Sequence, residues 1–304
     1  MLDTLNLQRL NWTAEVRPLF NADGTEFPEQ LARGVYRDDT GQPIARCGPS
    51  TTVIQHGDVI YPILEKIADT GIDILERDYA RHDLYDLQGK KGGFVALDMA
   101  RDGAIARARI ITGDFISPTG PSAYLPDGPP TLFREYHVLN SHDSTYAQQV
   151  HLRYLNAKCM NGLVTPEFTA VVKAKHSLNF DIEAFKAKVL AGVDLMENDT
   201  ERFELYIKTP LDAAAAETFF KKTIARLKPK DDGEPNWSKA KLEDLLNRFR
   251  EEPQTVWGAY QAMTAWATHA DIRSNATELT SRIGRDEEVA RSMRTGEFRQ
   301  LLAA

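Results

Sequence analysis

Residues 94–112 read FVALDMARDGAIARARIIT, and this stretch decides the fold that we predict. Two runs rich in apolar residues flank residues 101–103, an Arg-Asp-Gly sequence of the kind found in turns. In the second run, Arg107 and Arg109 are two residues apart, so they share one face if the run is a strand. The stretch therefore predicts paired strands joined by a short turn, with basic side chains along one face.

The strand pattern extends in both directions from this stretch. Residues 72–112 as a whole predict a β-meander, in which residues 79–87 form a strand and residues 89–93 form a hairpin turn. Towards the N-terminus, residues 35–37 and 44–47 predict a hairpin, and residues 51–54 are β-branched and favour a further strand. Asp58 is then expected to cap a helix that ends near Gly71.

Beyond this meander, residues 133–139 and 148–158 predict two more strands around a turn at 140–144. Between the two β-rich stretches, residues 117–130 are rich in Pro and Gly and predict a long loop of the kind that often covers a site.

The apolar spacing becomes helical after about residue 180. It predicts helices around residues 219–227, 242–249, 256–267 and 286–302, with Ser238 capping the second of them. We therefore predict an α+β fold, with an antiparallel β-rich core domain over residues 1–180 that contains a helix. A mainly helical region over residues 181–304 is expected to pack on it.

The composition of the 304-residue chain is that of a globular protein, with 42% hydrophobic and 27% charged residues. No apolar run approaches the roughly 20 residues that cross a bilayer, and the first residues do not resemble a signal peptide. Two cysteines, Cys47 and Cys159, are too few for a disulfide framework. These features predict a cytoplasmic protein without a membrane partner.

Several motifs occur in an order that resembles a known family. They are Tyr36-Arg37-Asp38-Asp39-Thr40-Gly41 followed by Gln55-His56, then Asn140-Ser141-His142-Asp143-Ser144, the strand from Val150 to Leu163, Lys175-His176-Ser177, and the helix from Thr255 to His269. Together they resemble the phage- and plasmid-borne family named domain of unknown function 932. Ser144 replaces the glycine of the family motif, and three extra residues separate Arg153 from Cys159. The resemblance implies work on DNA maintenance, recombination or host defence, and no settled activity.

Side chains that can bind zinc or iron lie close together in the sequence: His142, Asp143, His151 and Cys159. Their spacing matches no established ligand pattern, and turn chemistry is the alternative role for His142 and Asp143. Cys159 and His176 have the chemistry of a nucleophile and its base, and a buried core cysteine is the alternative. Residues 89–93 lack the spacing of a phosphate-binding loop, so we predict no ATPase and assign no catalytic residue and no cofactor.

Basic residues provide the leading functional hypothesis, although the formal net charge is −7. The candidates for nucleic-acid binding are Lys90, Lys91, Arg107, Arg109, Arg153, Lys173 and Lys175. Tyr79, Tyr85, Phe94 and Tyr154 lie among them and could stack on unpaired bases. The alternative is that these are solvated charges and core aromatics.

We therefore expect a phage or plasmid DNA-metabolism protein that binds single-stranded DNA and promotes annealing or recombination without ATP, as a homo-oligomer. Two alternatives stay open from the sequence. The first is an inhibitor of a host defence system that binds a host protein. The second is a metal-dependent enzyme that acts on nucleic acid.

Overall fold

The computed structural model describes residues 7–79, 81–116, 132–143, 145–156, 162–163, 172–174, 181, 183–185, 187, 199–229, 234–271 and 278–303. The predicted loop at 117–130 lies outside these residues, as do Lys175, His176 and Cys159. The chain divides into two compact units. The first contains Met1–Asp114, Arg134–Leu152 and Thr169–Asp194, and the second contains Phe115–Phe133, Arg153–Phe168 and Leu195–Ala304. The predicted boundary at residue 180 stays a prediction.

A three-stranded antiparallel sheet opens the first unit. Its strands are β1 (Ala14–Arg17), β2 (Arg33–Arg37) and β3 (Pro43–Cys47), in the order β1-β2-β3. The β2–β3 pair is the predicted hairpin, and Gly41 supplies the positive φ of 68° that its turn requires. Trp12, Ala14, Val35 and Cys47 form a buried cluster at this sheet.

A larger mixed sheet contains the remaining strands that the described residues form. They are β4 (Asp73–Glu76), β5 (Gly92–Ala100), β6 (Ile105–Ile116), β7 (Leu132–Ser141), β8 (Gln148–Asn156), β9 (Gly162–Leu163) and β10 (Val172–Ala174). The order is β10-β8-β7-β6-β5-β4, and β9 pairs with β8. The predicted pairing of the two runs around residues 101–103 is confirmed, because β5 and β6 are antiparallel and a 3₁₀ turn at Arg101–Gly103 joins them.

Helices α1 (His56–Ala68) and α2 (Arg81–Leu87) belong to the first unit, and residues 183–185 and 187 of this unit are also helical. Helix α1 buries Val59, Ile60, Ile63 and Leu64, and helix α2 lies between β4 and β5. The predicted capping by Asp58 is wrong, because the helix begins at His56 and Gln55 occupies the cap position. Residues 51–54 form no strand, so that prediction is also wrong.

The predicted meander over residues 72–112 is correct in placing strands at β4, β5 and β6, but wrong for residues 79–87 and for the direction in which β4 pairs. Residues 81–87 are helical, and β4 pairs with β5 in parallel, with Leu75 opposite Phe94. A parallel pair needs a crossover, and α2 provides it. Lys90 and Lys91 consequently lie between α2 and β5 rather than at the tip of a hairpin.

The second unit is mainly helical. Its helices are α3 (Asp199–Lys208), α4 (Ala213–Lys222), α5 (Lys239–Arg250), α6 (Val256–His269), α7 (Glu278–Met293) and α8 (Gly296–Ala303). Ser238 caps α5 as predicted, since its side chain accepts a hydrogen bond from the Lys241 amide. The single helix predicted over 286–302 is wrong, because Thr295 and its neighbours separate α7 from α8.

Aromatic rings form the core of the second unit. Phe203 lies edge-on to Trp257 with ring centroids 5.5 Å apart, and it stacks on Tyr260 at 6.2 Å. All three side chains are fully buried or nearly so. The predicted α+β class is therefore confirmed, with β-rich and helical halves along the chain. Among the helices formed by the described residues, none is long and apolar enough to cross a membrane.

Candidate functional site

Two arginines flank a pair of stacked aromatic rings in the first unit. The rings of Tyr79 and Phe94 stack with centroids 6.3 Å apart and 24° between their planes. The guanidinium of Arg77 lies 4.7 Å from the centre of the Phe94 ring, and that of Arg109 lies 5.3 Å from the centre of the Tyr79 ring. We call Arg77, Phe94, Tyr79 and Arg109 the aromatic–arginine stack. Guanidinium groups over aromatic faces at such distances attract the ring electrons.

The parallel pairing of β4 and β5 positions the first half of this stack. The Arg77 amide donates to Val95 O at 3.0 Å, so the ladder continues one residue beyond β4. This contact holds Arg77 beside β5, where its side chain covers Phe94 and pairs with Asp83 of α2. Arg77 keeps 45% of its side chain exposed to solvent.

The register of β5 and β6 positions the second half. Ala96 lies opposite Arg109, and Asp98 lies opposite Arg107. Because side chains alternate between the faces of a sheet, Phe94, Asp98, Arg107 and Arg109 share one face. The predicted common face of the two arginines is therefore confirmed, and the structure adds an acid to it.

Asp98 binds both arginines of β6. Its Oδ2 accepts from Arg107 Nε at 3.0 Å and Nη2 at 2.7 Å, and from Arg109 Nε at 3.2 Å. Burial raises the pKa of Asp98, but the charges and hydrogen bonds of the two arginines outweigh burial and lower this pKa below its ordinary value. Only 5% of the Arg107 side chain is exposed, so its contacts hold Asp98 and Arg109 in place.

The polar face continues onto β7 and β8. The Tyr79 hydroxyl donates to Glu135 Oε1 at 2.8 Å, and both residues are buried. His137 follows on the same side of β7, with its ring centroid 5.8 Å from that of His151 on β8. Glu135 fixes the Tyr79 ring, and through it one surface of the aromatic–arginine stack.

The other predicted cations have different surroundings. Lys90 and Lys91 are exposed just before β5. Arg153 lies in the second unit, where it is buried and donates to Asp286 Oδ2 of α7 at 2.9 Å. The backbone of Lys173 pairs with Gln149, while its side chain and all of Lys175 lie outside the described residues. Among the predicted aromatics, Tyr154 is buried against Phe203 in the second unit.

His142 and Asp143, two of the predicted metal ligands, have structural partners. The His142 ring lies against His56 with centroids 3.9 Å apart and 48° between the ring planes, and the Trp12 ring centroid is 5.8 Å away. Asp143 accepts from Arg101 Nη1 at 2.6 Å and from the Thr145 amide at 2.9 Å, which is the predicted turn chemistry. Burial raises the pKa of Asp143. Hydrogen bonds from Thr145 and Arg101 lower this pKa by more than burial raises it, so the net shift is downward.

His151, a further predicted ligand, lies beside His137 instead, and Cys159 is outside the described residues. Within the described part of the chain, no group of three or more His, Cys, Asp or Glu side chains could hold a metal ion.

Asn140 connects this histidine pair to the chain before α1. Its Nδ2 donates to Ile54 O at 3.0 Å and lies 2.9 Å from His56 Nδ1. Because an amide nitrogen can only donate, His56 Nδ1 accepts and its Nε2 carries the proton towards Gly103 O, 2.7 Å away. His56 is therefore neutral and structural in this arrangement.

Our reading of the sequence missed Arg77, Asp98 and Glu135, which complete the site. Arg77 follows a strand that pairs in parallel with β5, and Asp98 meets Arg107 only through the register of β5 and β6, so the neighbouring residues of neither one mark it. Glu135 and His137 do carry a signal, because they are ionisable residues two positions apart in a predicted strand and therefore share one face.

A family model matches more than half of the chain. The family is described as a domain of unknown function (DUF932), and the match covers residues 127–295. No curated protein and no solved structure matches the chain.

Proposed function

The chain belongs to the family described as a domain of unknown function (DUF932), whose description assigns no activity, and we propose that it is a DNA-metabolism protein of phages or plasmids. In this proposal it binds single-stranded DNA and promotes annealing or recombination without ATP, as a homo-oligomer. The origin from a mobile element rests on the motif resemblance described above. The observation that carries the binding function is the aromatic–arginine stack.

The stack has the chemistry that unpaired bases require. Stacking on an aromatic side chain is worth about 1–3 kcal/mol per base and tolerates any sequence, since every base has a π face. Phe94 is partly exposed and has an exposed arginine over its ring. A base inserted beside Phe94 would therefore meet an aromatic surface and a cation together.

Exposed lysine and arginine side chains lie near enough to Phe94 to contact the phosphate backbone of the same DNA strand. Lys91 precedes Phe94 by three residues, which corresponds to about 10 Å along β5. With Arg77 and Lys90, it supplies positive charge on a chain whose total charge is −7. Arg107 and Arg109 have a different role in this proposal, because Asp98 binds both and they orient the stack. Lys173 and Lys175 remain candidates for phosphate contacts.

The test is fluorescence anisotropy of a labelled single-stranded oligonucleotide. We expect binding at low salt that weakens steeply between about 50 and 200 mM salt, because phosphate contacts release counterions. The Arg77→Ala variant should bind about tenfold more weakly, since it loses a cation from the stack. A second assay follows the pairing of two complementary strands, which the protein should accelerate without ATP.

Arg17 provides the matched control. Its side chain is 44% exposed, it pairs with Glu15, and its guanidinium lies 5.4 Å from the Tyr36 ring centre in the three-stranded sheet. The Arg17→Ala variant should keep the affinity of the wild type within about twofold. Absence of single-strand binding at low salt, or equal losses in the two variants, would contradict the proposal.

Exposed apolar side chains favour a second candidate function, the binding of a host protein. Phe20 and Leu31 are 64% and 63% exposed in the first unit. Large exposed apolar residues are typical of protein contacts when they form a patch. A stable complex with one host protein in pull-down experiments, together with no affinity for single strands, would favour an inhibitor of host defence.

A further inference from the structure

A cavity of about 380 Å³ opens beside the aromatic–arginine stack. It is lined by Arg9, Glu76, Arg77, Asp78, Val95, Ala96 and Leu97. Its volume lies in the range of small-molecule sites, which is about 300–1,000 Å³. Arg77 belongs to both features, so a group bound in the cavity would contact the guanidinium that covers the Phe94 ring.

The wall formed by β5 carries apolar residues. Val95, Ala96 and Leu97 are each at most 5% exposed, and β5 pairs with β6 along this wall but with β4 only as far as Val95. Arg9 reaches this wall from the 3₁₀ turn Gln8–Leu10 and donates from Nη1 to Leu97 O at 2.7 Å. This contact uses one of the five guanidinium N–H groups and fixes the position of the charge.

Two arginines and two acidic residues line the cavity, and they bind different chemical groups of a ligand. Guanidinium groups are the side chains best suited to phosphate oxygens. Carboxylates only accept hydrogen bonds, so they bind amino groups such as N4 of cytosine and oppose carbonyl oxygens. Asp78 lies 3.9 Å from Arg109, whereas Glu76 forms no ion pair within the described part of the chain.

We propose that this cavity binds one nucleotide of the single strand, with its phosphate at Arg9 and Arg77 and a base amino group at Glu76. The ligand class is a nucleotide whose base carries an exocyclic amino group, and thymine is disfavoured because it presents O4 in place of that group. This proposal rests on the proposed single-strand binding and adds a base preference to it. The aromatic–arginine stack alone predicts no such preference, because stacking tolerates every base.

The experiment compares oligo-dC with oligo-dT of equal length in the same anisotropy assay. The two strands have the same ring size and backbone, and the group at position 4 of the base is amino in one and oxo in the other. We expect oligo-dC to bind the wild type about tenfold more tightly, the effect of one hydrogen bond to a charged group. Free dCMP should compete better than dTMP, and both better than inorganic phosphate.

Three variants separate the roles of the lining residues. Glu76→Gln should bring the dC-to-dT affinity ratio close to one, because a glutamine amide can donate to O4 as well as accept. Asp78→Asn should leave the ratio within about twofold of the wild type, because Asp78 already faces Arg109. Arg9→Ala should weaken both strands about fivefold and leave their ratio unchanged, since the phosphate is common to both.

The outcomes distinguish this inference from the proposed function. If neither strand binds at low salt, the proposed function itself is wrong. If both bind equally well to the wild type, or if Glu76→Gln leaves the preference for dC intact, single-strand binding stands and the nucleotide site is wrong. A preference for dC that Glu76→Gln removes supports the site.

Discussion

Arg107 and Asp98 face each other across β5 and β6, with Arg107 Nη2 2.7 Å from Asp98 Oδ2. The Arg107 side chain is 5% exposed, so this carboxylate compensates a charge that has little access to solvent. Removing one member of a buried ion pair leaves the other charge uncompensated, which typically costs several kcal/mol. The pair is therefore a structural requirement of the face that carries the aromatic–arginine stack.

Asp98→Ala should lower the free energy of unfolding by about 3 kcal/mol, because buried Arg107 loses two hydrogen bonds to this carboxylate and the charge that opposes its own. Urea denaturation measures the loss. Asp244→Ala is the control, since Asp244 pairs with Arg248 one turn along α5 at a more exposed position. That change should cost less than about 0.5 kcal/mol. Equal losses in the two variants would show that the Asp98 contact is no stronger than a surface pair.

The pH dependence of stability should reflect the lowered pKa of Asp98. A carboxyl whose pKa is lower in the folded state than its ordinary value of about 3.9 stabilises the fold above that value. This stabilisation is lost as the pH falls through the folded pKa, when Asp98 takes up a proton. In urea titrations below about pH 5, Asp98→Asn should show a shallower decline than the wild type, and identical slopes would contradict the assignment.

Gly113 is expected to tolerate no side chain. A Cβ at this position of β6 would collide with Lys90 O and would lie 2.7 Å from Leu87 O, where the chain passes from α2 to β5. We predict that Gly113→Ala lowers the free energy of unfolding by about 2 kcal/mol. Gly284→Ala is the opposite case, because a Cβ there meets open space on α7. It should stabilise the protein by about 1 kcal/mol in thermal or urea denaturation. Destabilisation of similar size in both variants would contradict the packing described here.

Asn140 should be important for stability because its amide joins β7 to the chain before α1. Asn140→Ala removes the hydrogen bond to Ile54 O and leaves buried His56 Nδ1 without its donor. The expected loss is about 2–3 kcal/mol. Asn21→Ala, which removes an exposed contact to Thr25, should cost less than about 1 kcal/mol by the same measurement. A loss at Asn140 no larger than that at Asn21 would mean that this connection is dispensable.

The parts of the fold predicted correctly depend on neighbouring residues. The turn at residues 38–41 and the turn at 101–103 each join strands that pair with each other, so local turn chemistry was sufficient. The caps at Ser238 and the apolar spacing of α6 are local in the same sense.

The incorrect predictions concern the spacing of apolar residues in one segment and the direction in which two strands pair. Residues 79–87 offer too few apolar positions to separate a strand from the single short helix α2, in which Leu84 and Leu87 are three residues apart. The parallel pairing of β4 with β5 depends on the crossover between them, which strand composition does not encode.

In the candidate site, too, the correctly predicted feature depends on neighbouring residues and the missed ones depend on strand pairing. The common face of Arg107 and Arg109 follows from their spacing alone. Their shared acid, Asp98, follows from the register of two strands, and Arg77 reaches Phe94 through a parallel pair. The sequence therefore identified two of the cations but not the partners that orient them.

In the proposed function, a base of the bound single strand packs beside Phe94, which is the partly exposed ring of the aromatic–arginine stack. Photocrosslinking of a bound single strand that contains bromodeoxyuridine, followed by mass spectrometry, examines this contact. We expect crosslinks at Phe94, reduced in Arg77→Ala and unchanged in Arg17→Ala. A strand that binds but crosslinks only to peptides without Phe94 would overturn the proposal.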